Sequence, residues 1–192
     1  MFNKDANLFF MPPHAEPNSS DGWFGVLYLL RRDIDICMGI DPNTGKSVTF
    51  CALWPGAMSI LAGIDLMAKF FAGSDEIGEV KNRFIDFLTQ FFDGMTETNR
   101  EVIYQLRNAL LHSFGLYSSD TKGKVYRFIL SNAGTAPLVS HTPPDQYKVD
   151  LKVLHREFEK AVTAYCDALG RAIKLTENFD AMYGNYGRVH IG

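Results

Sequence analysis

Apolar residues recur every three or four positions through most of this chain of 192 residues. In a helix, that spacing puts the apolar side chains on one face, where a second helix can bury them. The pattern predicts five long helices, at about 23–40, 48–71, 75–92, 96–114 and 152–175. We therefore expect an all-α fold, an up-and-down helical bundle of about five helices.

The segment between the fourth and fifth of these helices has a different composition. Val125–Leu130, Pro137–Ser140 and Tyr147–Leu151 are short runs that favour strands, separated by turn-forming residues. The sequence therefore predicts a small β-hairpin insertion at about residues 122–151.

The helices and the insertion are expected to form one helical domain over residues 21–183, a length that suits a single hydrophobic core. Residues 1–20 are expected to form an N-terminal arm, because prolines and turn formers interrupt every periodic pattern there. Residues 184–192 are rich in glycine and are expected to form a flexible tail.

Cysteine content and targeting signals indicate a soluble cytoplasmic protein. The three cysteines lack a C-x-x-C pair, which argues against a disulfide framework or a cysteine zinc site. The N-terminal segment lacks the continuous apolar stretch of a signal peptide. The longest apolar run, Val48–Ile64, contains proline and glycine and falls short of a membrane span, so we interpret it as part of a buried core helix. A membrane span is the minor alternative.

Net charge argues against a protein that coats nucleic acid. The chain has 19 Lys and Arg against 22 Asp and Glu, a net charge of -3, whereas such proteins are strongly basic. The charge is unevenly spread, because residues 1–100 carry 8 basic and 13 acidic residues while residues 101–192 carry 11 and 9. Contact with nucleic acid should therefore be local, near the basic stretch that follows Lys122.

Polar residues interrupt the apolar face of the fourth predicted helix at Arg107, Asn108 and His112. Asn108 and His112 are four positions apart and lie on one helix face. Arg107 and His112 are about 140° apart around the helix axis and flank a groove beside it. Gly115 is expected to end the helix, which puts His112 in the last turn, where the helix dipole favours a cation. A histidine that moves protons, beside an arginine that holds phosphate oxygens, suits work on a phosphodiester.

The string Tyr104-Gln-Leu-Arg-Asn-Ala-Leu-Leu-His112 resembles the signature of the HEPN superfamily, in which an arginine and a polar residue precede a histidine on one helix. The resemblance implies a helical bundle and, in many members, a metal-independent endoribonuclease. In the family mechanism the RNA 2′-hydroxyl attacks the adjacent phosphate and leaves a 2′,3′-cyclic phosphate. Carried over to this chain, His112 is the acid/base, Arg107 is the phosphate and transition-state ligand, and Asn108 orients them.

The resemblance also implies partners. RNA is the expected substrate, and a homodimer through the fourth helix would bring two motifs near one cleft. A toxin or defence role would add an antitoxin or regulatory protein, and no metal or cofactor is expected. One toxin branch has a modifiable tyrosine two residues after the histidine. The equivalent position here is Phe114, so the resemblance does not carry over that mode of control.

Further residues are candidates for binding RNA because they lie near the motif or in the basic stretch after it. They are Tyr104, Ser113, Lys122, Lys124 and Arg127. Base stacking by the aromatic residues of the predicted strands, Tyr126, Phe128 and Tyr147, is the less favoured interpretation, because aromatic residues of a sheet more often pack on a helix.

Two alternatives to catalysis stay open. The first is a non-catalytic HEPN module that binds RNA, a nucleotide or a protein partner through the same cleft. The second is a structural bundle in which the motif is buried. Thr44–Ser47 resembles the end of a phosphate-binding loop, but the required earlier glycine is missing. The aspartates at 33, 35 and 41 are most simply solvated, and the other histidines lack the spacing of metal ligands.

Overall fold

The computed structural model describes residues 4–16, 22–135 and 137–191, and within them the chain forms seven α-helices and six strands. The helices are α1 (Lys4–Phe9), α2 (Val26–Cys37), α3 (Leu53–Ala72), α4 (Val80–Phe91), α5 (Glu97–Ser113), α6 (Leu151–Leu169) and α7 (Ile173–Tyr186). The strands are β1 (Trp23–Gly25), β2 (Tyr117–Ser119), β3 (Val125–Ser131), β4 (Val139–Thr142), β5 (Gln146–Asp150) and β6 (Arg188–His190). The fold is therefore mixed α/β, and the prediction of an all-α bundle of about five helices is wrong.

Helix α3 is the centre of the fold and packs against α2, α4, α5, α6 and α7. Its close contact with α6 depends on Gly63, where an added Cβ would lie 2.7 Å from Cζ of Phe158. The helix ends at Gly73, whose φ of 69° is left-handed and suits glycine. Because other helices pack on most sides of α3, few of its positions face solvent, and its sequence is therefore apolar on almost every side.

Within the described residues, α3 is the single helix that is long and apolar enough to cross a membrane, with a mean hydropathy of 1.3. Half of its most apolar window is buried inside the fold. The core helix of a soluble protein has the same length and composition, so this finding is consistent with a soluble protein.

The insertion between α5 and α6 is a four-stranded sheet in the order β2-β3-β5-β4. Strands β2 and β3 pair antiparallel, as do β4 and β5, and β3 pairs with β5 in parallel. The prediction of one small hairpin is wrong, because two hairpins join through the parallel pair and the first strand begins at Tyr117. Tyr126, Phe128 and Tyr147 are 1%, 5% and 4% exposed and belong to the core, so their rings are not accessible to stack bases.

The two ends of the chain are structured where the sequence predicts an arm and a flexible tail. In α1, the ring of Phe9 is fully buried, with its centroid 4.5 Å from that of Phe70. Strand β6 pairs antiparallel with β1, and the Arg188 guanidinium lies 4.7 Å from the centre of the Trp23 ring. Both segments are too short to show a period in sequence, and tertiary contacts hold them. The rest of the predicted arm, residues 1–3 and 17–20, lies outside the described residues.

Candidate functional site

The candidate site lies at the C-terminal end of α5. The helix begins after Thr96, whose hydroxyl accepts a hydrogen bond from the Asn99 amide at 3.2 Å. It ends at Ser113, and Phe114 takes a left-handed conformation with φ of 48°. The Gly115 amide donates to the Ala109 carbonyl at 3.0 Å and closes the last turn. The last helical residue, Ser113, is therefore two residues before Gly115, and the motif occupies the final turns of the helix.

The structure brings the two main motif residues into contact. Nη1 of Arg107 lies 2.5 Å from Nε2 of His112. The same Nη1 donates to Oδ1 of Asn108 at 3.2 Å. His112 is exposed and Asn108 is half-buried, so the contact faces solvent at the helix end. The motif is thus open to a ligand and is not sealed in the core.

Arginine carries hydrogen-bond donors and no acceptor. In this contact, Nε2 of His112 must therefore be the acceptor, and the ring proton is on Nδ1. The Nη1 donor of Arg107 and the Nε2 acceptor of His112 thus form one hydrogen bond with each other. A phosphodiester with a neighbouring hydroxyl offers the complementary pair, since its oxygen accepts from the guanidinium and its hydroxyl donates to the imidazole.

Asp65 on α3 is a site residue that the sequence analysis does not identify. Its Oδ2 accepts from Nε of Arg107 at 2.7 Å and from Nη2 at 2.5 Å. The side chains of Arg107 and Asp65 are only 11% and 17% exposed. One sequence signal was present, because Asp65 is the single charged residue between Val48 and Ala68. A lone carboxylate in so apolar a run needs a buried partner.

A surface pocket of about 380 Å³ adjoins Arg107. Lys69, Arg83 and Asp75 line it together with Asp65, so it has three cations and two carboxylates. Arg83 is 6% exposed, and its Nε has no hydrogen-bond partner among the described residues. The pocket therefore has a slight excess of positive charge.

Lys69 and Asp75 are held at the edge of this pocket by the same tyrosine. The Lys69 ammonium lies 4.2 Å from the centre of the Tyr186 ring. The Tyr186 hydroxyl donates to Asp75, and this hydrogen bond holds the pKa of that carboxyl below its usual value. Asp75 is thus a carboxylate near neutral pH, and Lys69 lies over the Tyr186 ring at the edge of the pocket.

Two other residues predicted to bind RNA, Tyr104 and Ser113, also belong to α5. Tyr104 is half-buried, with its ring centroid 5.6 Å from that of Phe84. Ser113 is the exposed last residue of α5 and lies directly after His112. Of these two, Ser113 is the one placed at the motif end.

Two of the predicted basic residues of the insertion, Lys122 and Lys124, lie beside the first half of α5, whereas Arg127 pairs with Tyr117, just after the end of that helix. Lys122 and Lys124 line a pocket with Glu97 and Glu101, and Arg127 forms an ion pair with Asp145. Burial lowers the pKa of Lys124, but the neighbouring tyrosines outweigh it and hold that pKa above its usual value. None of the described contacts of these three cations reaches Arg107 or His112.

The loop at Asp41–Ser47 is an ordinary turn. Asp41 accepts hydrogen bonds from the Asn43 amide at 2.9 Å and from the Thr44 hydroxyl at 2.8 Å, and these bonds lower its pKa. Among the described residues, no group of three or more His, Cys, Asp or Glu is arranged to hold a metal ion. Comparisons with protein-family models, curated proteins and solved structures found no match. The geometry around Arg107 is therefore the basis for assigning a function.

Proposed function

We propose that the chain is a metal-independent endoribonuclease of the HEPN type. The observation that carries the proposal is the contact between Arg107 and the exposed His112, made by a motif that resembles the HEPN signature. Asn108 orients the arginine through its hydrogen bond to Nη1. The site thus combines a proton acceptor with a cation that binds phosphate.

The proposed step exchanges one ester bond for another. The RNA 2′-hydroxyl donates its proton to Nε2 of His112, and the 2′-oxygen forms a bond to the adjacent phosphorus. The bond from phosphorus to the 5′-oxygen breaks, and the leaving oxygen takes a proton from water. Arg107 stabilises the charge on the phosphate oxygens during this step. The products are a 2′,3′-cyclic phosphate and a 5′-hydroxyl, and His112 returns its proton to solvent.

Asp65 is a positioning residue in this mechanism. It accepts from Nε and Nη2 of Arg107, so the guanidinium is held in one orientation with Nη1 turned to His112. Preorganised donors stabilise a transition state without a reorganisation cost at the moment of reaction. The carboxylate also reduces the net charge of the site, which makes the additional cations of the pocket important.

RNA is proposed to run over the pocket beside Arg107. Lys69 and Arg83 line this pocket and take the role that the sequence analysis assigns to Lys122, Lys124 and Arg127. The overall charge of -3 gives little general attraction to RNA. Binding should therefore be local and short in extent.

The proposal includes a homodimer through α5. Large apolar side chains are exposed near both sides of the motif: Ile77 is 89% exposed, Phe114 is 70% exposed and Tyr117 is 51% exposed. A second copy would cover such residues and bring two motifs together. We place the protein in the cytoplasm, in a toxin or defence role with an antitoxin or regulatory partner.

Cleavage of a mixed RNA pool in EDTA tests the proposal. The parent protein should produce fragments with cyclic-phosphate ends. His112→Ala and Arg107→Ala should each lower the rate by about 100-fold or more, as expected for loss of an acid/base or of a transition-state ligand. His14→Ala, at another exposed histidine, is the matched control and should cut like the parent. Equal cutting by all four proteins would rule out the catalytic assignment.

A non-catalytic HEPN module is the second candidate. The observation that favours it is that Asp65, Asn108 and His112 together contact all three nitrogens of the Arg107 guanidinium. If the parent binds RNA in a filter assay and never produces cyclic-phosphate ends, this second function replaces the first.

A further inference from the structure

A second and larger pocket lies between α6 and the segment that joins α2 to α3. Its volume is about 1000 Å³, within the range of sites for small molecules. The segment from Met38 to Cys51 forms one wall, α6 forms the other, and Asn132 closes one end. It shares no lining residue with the pocket beside Arg107. It is thus a separate site that the proposed ribonuclease activity does not use.

Three cations are spaced along the wall that α6 provides. Lys152, Arg156 and Lys160 are four positions apart, which places them in one row on the helix. Glu157 accepts from Nε of Arg156 at 3.5 Å and from Nζ of Lys160 at 2.9 Å. Lys152 is exposed and has no ion pair among the described residues. The row therefore begins with Lys152, which has no ion pair among the described residues. Arg156 and Lys160 follow it and share the carboxylate of Glu157.

The acidic residue on the same wall does not cancel this row. Glu159 lines the pocket, but it is held in an ion pair with Arg31 from α2, whose Nε donates to its Oε1 at 2.9 Å. The remaining carboxylate, Asp167, lies at the far end of the helix segment. An anion is therefore favoured near Lys152.

Two buried polar atoms of residues that line this pocket have no hydrogen bond to the described residues. His155 is 8% exposed, and its Nε2 lies 3.3 Å from Oδ1 of Asp35, at ion-pair distance and without the geometry of a hydrogen bond. Oδ1 of Asn132 is buried, and the amide of the same side chain donates to Sγ of Cys51 at 3.7 Å. Buried polar atoms are nearly always satisfied. Both atoms are shielded from solvent, so a ligand would reach Oδ1 of Asn132 only when that side chain turns toward the cavity it lines.

We propose that this pocket binds a small hydroxylated organophosphate, such as a sugar phosphate. Its phosphate would contact Lys152 and Arg156, and a hydroxyl would donate to Oδ1 of Asn132. The side chains of Ile40 and Val48 provide an apolar wall for the carbon skeleton. A small molecule fits better than a polymer, because the cavity has the volume of a small-molecule site.

Isothermal titration of the full chain with ribose 5-phosphate, AMP, ribose and inorganic phosphate tests the proposal. Ribose 5-phosphate or AMP should bind at least about tenfold more tightly than inorganic phosphate or ribose, because only they offer both the phosphate and the hydroxyl. If both bind no more tightly than inorganic phosphate, the proposal is overturned. Binding of a single-stranded oligonucleotide but of neither small ligand would also overturn it, in favour of an RNA surface.

Two variants separate the parts of the site. Lys152→Glu should weaken ribose 5-phosphate at least about tenfold, whereas Lys148→Glu, the same change at an exposed lysine outside the pocket, should not. Asn132→Ala should reduce ribose 5-phosphate to the affinity of inorganic phosphate. Thermal unfolding of each variant checks that it is folded. Unchanged affinity in a folded Lys152→Glu protein would refute the site. RNA cleavage does not enter these measurements, so the two proposals fail independently.

Discussion

The polar groups around Arg107 pair with one another, whereas those around His155 are left incomplete. At the end of α5, the guanidinium donates to Asp65 and Asn108 and contacts His112. At the wall of the larger pocket, Nε2 of His155 lies at ion-pair distance from Asp35 and has no hydrogen bond to any described residue. The side chains of Arg107 and His155 are both mostly buried. They differ in whether other described residues supply their hydrogen-bond partners.

This difference predicts opposite responses to mutation. In a paired network, removing one member leaves a buried charge or donor without compensation, and the folded state loses free energy. Where a polar atom is already unpaired, its removal takes away nothing that stabilises the fold, and only ligand binding should suffer. Stability measurements therefore test the comparison without any assumption about RNA.

The largest effect is expected at Asp65. Asp65→Leu leaves Arg107 mostly buried beside an apolar side chain, and we expect it to reduce the free energy of unfolding by about 2–3 kcal/mol. Chemical denaturation monitored by circular dichroism measures this loss. Glu177→Leu, which breaks an exposed ion pair with Lys174 on α7, is the matched control and should change stability little.

A double variant shows whether the loss comes from the unpaired charge. Asp65→Leu combined with Arg107→Met replaces the ion pair by apolar groups of similar size. It should recover stability to within about 1 kcal/mol of the parent. Under the proposed function, the double variant should not cleave RNA, because Arg107 is replaced. A double variant no more stable than Asp65→Leu alone would mean that the carboxylate stabilises the fold in some way other than through Arg107.

The same contrast explains how much of the site could be read from sequence. Arg107 and His112 lie on one helix, and helical geometry alone indicated that they flank a common groove. Asp65 is 42 positions away, and no local rule links a residue of α3 to one of α5. The larger pocket draws on a loop, the end of β3 and α6. Its parts have no common sequence pattern, so sequence reasoning missed it.

The fold, like the site, could be predicted only where a pattern is local in the sequence. Long amphipathic helices such as α4 and α5 are visible because their period repeats over several turns. The pairing of β3 with β5 could not be predicted in this way, because the two strands of a parallel pair are distant in sequence and no local pattern links them. The three-residue strands β1 and β6 are too short to show alternation, and each is defined by the other.

A moderate effect, confined to high pH, is expected at Tyr165. Its ring is fully buried, its hydroxyl has no partner among the described residues, and burial raises its pKa well above the usual value. The unfolded chain loses this proton near pH 10, so the contribution to stability is intact below about pH 10 and falls as the pH rises further. Tyr165→Phe should change stability by less than about 1 kcal/mol at pH 7. Denaturation at pH 7 and pH 10.5 should show a smaller loss in the variant than in the parent, and an equal loss in both would contradict the assignment.

The smallest effect is expected at Asn132, and it is the sharpest test of the comparison. Because Oδ1 of Asn132 is buried and has no partner among the described residues, Asn132→Ala removes a group that is costly to bury and only a weak contact to Cys51. Stability should stay within about 0.5 kcal/mol of the parent, or rise. The contrast with Asp65→Leu, measured in the same denaturation series, is the decisive quantity. A loss at Asn132 as large as that at Asp65 would mean that its carbonyl is satisfied in the folded protein, and the incomplete wall would then no longer indicate a missing ligand.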